Sequence, residues 1–169
     1  MSKRALKKYL SELDKEALAA QLMELYERFP TVKEYYNFVF NPKEDKLVQE
    51  AKSKISNEYF PVKRKRPKAR RSIAQKYIKR FITLGVDAPL VADLMLYNLE
   101  VAQTFSVNRN VPDAFYKSMY NSYAEAVPYI VLHGMLPEFK GRILGIYQKV
   151  NESSWFNEED FSRVLDALE

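Results

Sequence analysis

Apolar residues in this chain recur at three- and four-residue steps, and no stretch alternates apolar with polar residues over the length of a strand. Only helices bury side chains so spaced. Leu18, Leu22, Leu25, Tyr26 and Phe29 form one stripe, and Leu47, Ala51, Ile55 and Tyr59 form another. Ile73, Ala74, Tyr77, Ile78, Phe81 and Ile82 share a face opposite Gln75, Lys76, Lys79, Arg80 and Thr83. No Asn-Gly hairpin signal interrupts the pattern. The expected fold is therefore all-α, with about eight short to medium helices in a single domain over residues 1–169. Short turns between them make neighbours antiparallel, giving a helical-hairpin bundle or a short helical stack. A basic connecting segment is expected at residues 61–72.

Helix boundaries follow from capping chemistry. Asp14 is placed to cap the second helix, with Leu13 and Leu18 at staple spacing. Pro30 ends that helix, and Thr31 and Glu34 then have capping-box spacing for a third. Asn41-Pro42 breaks the chain before a helix over residues 43–59, which Pro61 closes. Ser72 is the expected cap of the helix over residues 72–84, and Gly85 its terminator. Asp87 and Asp113 start two longer helices, Pro128 should kink or break the second of these, and Pro137 opens the next. Gly141 and Gly145, four apart, would admit a neighbouring helix closely. The last helix follows Asn157, with Phe156 and Phe161 at staple positions.

Catalytic parts are scarce. The chain has no cysteine, so disulfides, thiolate metal sites and cysteine nucleophiles are all absent, as suits a reducing compartment. His133 is the one histidine; it removes histidine-rich zinc and di-iron motifs, and its apolar setting predicts a partly buried structural residue. Four glycines do not supply a phosphate loop, and Gly141-Arg142-Ile143-Leu144-Gly145 lacks the downstream Gly-Lys-Ser/Thr. Asp93 and Glu100 are seven apart on one helix face, where a solvated face, or pairing with Lys or Arg, is expected ahead of a divalent ion. No catalytic residue, metal or cofactor is assigned. Glu12 and Asp14 follow the first ten residues, so no signal-peptide apolar region forms, and no uncharged run is long enough to span a bilayer. The expectation is a cytoplasmic protein without a membrane partner.

One electrostatic feature stands out from this background. Residues 63–80 hold ten of the 27 Lys and Arg and no Asp or Glu; the other 17 face 22 Asp and Glu, a remainder of −5. Lys63, Arg64, Lys65, Arg66, Lys68, Arg70 and Arg71 are suited to neutralise phosphates, releasing counterions, and Lys76, Lys79 and Arg80 prolong the track. Ser72, at the amino end of the following helix, adds free N–H groups to which an anion would bind beside Arg70 and Arg71. Pro67 and Ala69 would keep the arm extended or loosely coiled, suiting contact with a DNA or RNA backbone without base readout. Two other readings compete: a solvated linker, and docking on acidic protein, either this chain's own or a partner's. A carboxylate of the same chain at Arg70 and Arg71 would make the stretch structural.

Twelve tyrosines and ten phenylalanines raise a further possibility, that Tyr35, Tyr36, Tyr116, Tyr120 or Tyr123 stacks on unpaired bases. The helical spacing of Tyr116, Tyr120 and Tyr123 equally suits a core stripe. The segments Ser2-Lys3-Arg4-Ala5-Leu6-Lys7-Lys8-Tyr9-Leu10, Val32-Lys33-Glu34-Tyr35-Tyr36-Asn37-Phe38 and Phe81-Ile82-Thr83-Leu84-Gly85-Val86 resemble a family of small uncharacterised bacterial proteins catalogued as a domain of unknown function. That resemblance covers most of the chain; it implies a bacterial cytoplasmic protein and carries no substrate or site residues. The function expected is a non-enzymatic binding module for nucleic-acid phosphates. The alternative is a protein–protein adaptor using its aromatic helices, or docking its basic arm on an acidic partner.

Overall fold

The computed structural model describes residues 1–63, 66–107 and 109–167. Arg64 and Lys65 lie outside the described residues. Among the described residues are nine α-helices and no strand: α1 (Lys3–Ser11), α2 (Lys15–Arg28), α3 (Pro30–Phe40), α4 (Glu44–Tyr59), α5 (Arg71–Leu84), α6 (Ala88–Ser106), α7 (Asp113–Leu132), α8 (Leu136–Glu152) and α9 (Glu158–Asp166). The protein is all-α. Its residues group into two compact units, Met1–Lys43 and Glu44–Glu169.

In the first unit, Ser2 and Asp14 cap α1 and α2 by accepting from the Ala5 and Ala17 amides. Gln21 Nε2 donates to the Tyr9 hydroxyl, tying α1 to α2, and Tyr26 donates to Asn37 Oδ1 at 3.1 Å, tying α2 to α3. No residue of α1, α2 or α3 is buried. Pro30 opens α3 as well as following α2, and Phe29 holds the cap position without a side-chain bond. Thr31 and Glu34 therefore sit inside the helix and form no capping box; proline at the first position already fixes φ and has no N–H to satisfy.

The second unit is built around α6, which packs on α4, α5, α7 and α8. Ten of its residues are buried, from Val91 to Phe105, so it is apolar on most of its circumference. Tyr59, Phe81, Tyr123 and Phe161 are the largest fully buried side chains around it. Each such side chain stabilises the fold by about 1.5–3 kcal/mol relative to exposure. Gly85 ends α5 in the left-handed region (φ 79°), with its N–H on Ile82 and the Val86 N–H on Phe81, the two bonds of a Schellman turn. Gly134 after α7 (φ 71°) and Ser154 after α8 (φ 49°) repeat that arrangement.

Several expected boundaries shift. Helix α5 starts at Arg71, one residue before Ser72, and Arg70 holds the cap position with no side-chain bond. Pro112 precedes α7, so Asp113 is its first residue and not its cap. Helix α7 continues through Pro128 to Leu132. A Cβ at Gly141 or Gly145 would meet nothing within 4 Å, so neither glycine admits a close neighbour. Asn157 makes no capping bond; its amide donates to the Tyr116 carbonyl. Phe156 is 57% exposed, and it is buried Trp155 that packs on Phe161, at 5.9 Å between ring centroids.

Candidate functional site

The basic segment leaves α4 and returns to it. At its start the Val62 N–H donates to Asn57 Oδ1 at 3.2 Å. At its end the Lys68 and Ala69 N–H groups both donate to the Glu58 carbonyl, at 3.1 and 3.0 Å. Both ends are thus fastened to the same turn of α4, so of the two conformations expected from Pro67 and Ala69, extended or loosely coiled, the tied ends exclude a free extended arm. Ala69 sits in the left-handed region (φ 48°), a conformation that alanine adopts at a cost of about 1 kcal/mol. The bonds on either side of it compensate for that strain.

Side chains reinforce the closure. Arg70 grips the Glu58 carboxylate with Nε and Nη2, at 3.0 and 3.1 Å, and the Glu58 side chain is only 7% exposed. This fork-to-fork geometry is the strongest form of ion pairing a side chain can offer. The bond to Glu58 raises the guanidinium's pKa further above its ordinary value, so Arg70 stays charged. Arg71 reaches α7: its Nε donates to Ser122 Oγ at 2.8 Å, and Nη2 lies 2.6 Å from Glu125 Oε1, a charge contact without hydrogen-bond alignment. Gln75 donates to the other oxygen of Glu125 at 2.9 Å. The helix junction therefore holds carboxylates of this same chain, the outcome that makes it structural: Arg70 and Arg71, expected to bind an anion beside Ser72, are ties within the fold, and a binding role is left only to the other cations of the segment. Burial, with a smaller push from the charge of Glu58, holds the neighbouring Tyr59 phenol far above its ordinary pKa.

The remaining candidates divide by position. Lys63, Arg66 and Lys68 are exposed on the loop, and Lys76 and Lys79 are exposed on the outer face of α5. None of these five makes an ion pair among the described residues. Ser72 is exposed in the first turn of α5, and Arg80 is half-buried further along it.

Of the two arrangements expected for Asp93 and Glu100, a solvated face or pairing with a cation, the structure has the pairing. Arg142 of α8 bridges them, with Nη1 on Asp93 Oδ1 at 2.8 Å and Nε and Nη2 on the Glu100 oxygens at 2.8 and 2.9 Å. Desolvation pulls the Arg142 pKa down, but its bonds to Glu100 and Asp93 outweigh that, and the net shift is upward. Lys52 of α4 adds a contact to Asp93 Oδ2 at 2.6 Å and stands 5.1 Å from the Tyr97 ring centre. Two cations thus compensate two carboxylates and clamp α4, α6 and α8 together. No cluster of three or more metal-ligating side chains occurs among the described residues.

His133 lies after the last turn of α7 and is exposed, contrary to the expected partial burial. Its Nδ1 is 2.8 Å from the Tyr129 carbonyl and its ring rests against the Tyr129 ring; its apolar neighbours Val131 and Leu132 are exposed as well. Tyr123 is fully buried and donates to the Ile143 carbonyl at 3.3 Å, while Tyr116 packs on Trp155 and Tyr120 on Phe161. That stripe is core. Tyr35 is 45% exposed and meets half-buried Tyr36 edge to face.

Glu58, Ser122, Glu125 and Arg142 are site-building residues that sequence reasoning passed over. Glu58 carried one signal: it is the last acidic residue before the cationic run. Among the described residues, no helix is long and apolar enough to cross a membrane. No curated protein and no solved structure matches the chain. A family model described as a family of unknown function, DUF6155, matches residues 1–169. The chain belongs to that family.

Proposed function

We propose that this protein is a non-enzymatic binding module that holds nucleic-acid phosphates, independent of sequence, on the loop between α4 and α5. The observation that supports it is the fastening of both loop ends to one turn of α4. A tethered loop has already lost the chain entropy that a free arm would lose on binding. Lys63, Arg66 and Lys68 form no ion pair among the described residues, which leaves their charge available to a ligand. Arg64 and Lys65 belong to the same run by sequence, and Lys76 and Lys79 extend it along α5. In this reading Arg70 and Arg71 position the loop and contact no phosphate. The lack of cysteine supports a cytoplasmic setting.

The test is fluorescence anisotropy with mixed-sequence DNA and RNA at about 50 mM salt and above. Binding should weaken steeply with salt, and Lys63→Ala with Lys68→Ala should weaken it for every sequence alike, each lost contact lowering the salt slope by about 0.7–0.9. Absence of binding at the lowest salt would sink the proposal.

A second reading, a protein–protein adaptor, draws on the first unit. Its helices carry no buried residue and leave Leu22 at 41%, Met23 at 55% and Phe40 at 81% exposed around an apolar groove. Patches of that kind favour protein contact. The charge on the loop, and the fastening of its ends to α4, favour nucleic acid first.

A further inference from the structure

The outer face of α4 has a composition of its own. Gln49, Ser53, Ser56 and Phe60 stand at four-, three- and four-residue steps, so they line one side of the helix and run to the point where the basic loop begins. The inner face is the apolar one, with Val48, Ala51, Ile55 and Tyr59 buried. Along the outer face lies a groove of about 520 Å³, walled by those residues with Lys54 and Tyr97. Val62, the first residue of the loop, also borders it. That volume is in the range of small-ligand sites.

Its chemistry is mixed in a particular way. The side chains of Gln49, Ser53 and Ser56 make no hydrogen bond among the described residues, so their donors and acceptors are available. Phe60 keeps 39% of its surface exposed while one side of it packs on Phe105, at 6.0 Å between centroids. Tyr97 is half-buried and steadied by Lys52, which is itself held by Asp93. Lys54 is exposed and forms no ion pair among the described residues. A flat ring, hydroxyls and an amide, a free cation, and a cationic loop in continuation together match one chemical class.

We infer that this groove seats an unstacked base of single-stranded nucleic acid whose phosphates continue onto the loop, so the protein prefers single strands to duplex. The inference rests on the phosphate-binding reading of the loop and adds the strandedness. A duplex offers its bases only at groove edges, already stacked, and has none to lay on Phe60. A single strand can turn one base onto the ring, hydrogen-bond its edge to the serines and Gln49, and pass its backbone by Lys54 to Lys63.

Anisotropy with a mixed single strand of about 20 nucleotides and the duplex of the same sequence separates the two claims, a length that exceeds the site size of known single-strand folds. The expected result is tighter binding of the single strand, and loss of about tenfold of that affinity in Phe60→Ala with duplex binding unchanged. Equal affinity for both, insensitive to Phe60→Ala, overturns this inference and leaves the loop reading standing. No binding of either overturns both. Phe60 also touches Phe105, so the wild-type chain gives an independent readout. A strand carrying 5-bromouracil should photocross-link to Phe60 or Tyr97; adducts confined to the loop, or none, overturn the inference. Competition by polyglutamate as effective as by the single strand would assign the groove and loop to acidic protein and likewise overturn it.

Discussion

Tyr59 and Tyr123 show how far single side chains are committed to the interior. Tyr59 is 1% exposed and donates to Asn98 Oδ1 at 3.2 Å; Tyr123 is wholly buried and donates to a backbone carbonyl. Burial raises both phenol pKa values well above 10 in the folded protein, with Glu58 adding to the effect at Tyr59 and Tyr147 at Tyr123. Because the folded value exceeds the unfolded one, the stability these groups lend is complete below about pH 10 and is lost as pH rises beyond it. An alkaline titration followed at the tyrosinate absorbance band should therefore show a late step belonging to Tyr59 and Tyr123. That step should come only together with the loss of helical circular dichroism. Smooth ionisation of all twelve tyrosines while the fold persists would contradict the burial of these two.

At the scale of the element, glycines separate conformational need from space. Gly141 and Gly145 lie within α8 with ordinary helical backbone and open surroundings, whereas Gly85 ends α5 at φ 79°. Gly141→Ala and Gly145→Ala should each stabilise the protein by about 0.5–1 kcal/mol, because alanine loses less entropy in a helix. Gly85→Ala should destabilise it by about 1–2 kcal/mol, the cost of a Cβ in the left-handed region. Urea denaturation of the three variants gives the comparison, and destabilisation by either α8 substitution would show that a close helix contact exists there after all.

The same glycines show what can be read without coordinates. Gly85 as a stop, Asp14 as a cap and the apolar stripes of α4, α5 and α6 follow from local chemistry, and those elements are where they were expected. Local signals failed where two of them competed: Thr31 with Glu34 looks like a capping box, but Pro30 ahead of it already starts the helix. The candidate site was legible as charge and illegible as geometry. Arg70 and Arg71 are indistinguishable from Lys63 and Arg66 in a list of cations. Their partners Glu58 and Glu125 lie 12 residues before Arg70 and, by position, on a helix two elements beyond Arg71. Arg142 was likewise hidden, since the pairing that Asp93 and Glu100 call for arrives from a helix more than 40 residues away.

Across the whole molecule, burial is distributed unevenly along the chain. Every buried residue lies at Val48 or beyond; α4, α6 and α8 carry the ion-pair clamp, and α4, α5, α7 and α9 the largest buried rings. Helices α1, α2 and α3 are held by capping bonds at α1 and α2, by side-chain hydrogen bonds, a Lys33–Tyr26 cation–π contact and half-exposed apolar contacts. Isolated helices of 9 to 14 residues are marginal in water, and most helical stability in proteins comes from packing. Opening free energies should therefore differ sharply between the units. In native-state hydrogen exchange of the full chain, amides in the middle of α6 should exchange only on global unfolding, while those of α1–α3 exchange through local opening at far lower cost. Residues 44–169 alone should then melt cooperatively, within a few degrees of the full chain, and keep its affinity for a single strand, since the loop and the α4 groove both lie within that unit. Protection in α1–α3 equal to that in α6, or failure of residues 44–169 to fold, would mean that the amino-terminal helices contribute stability their burial does not account for.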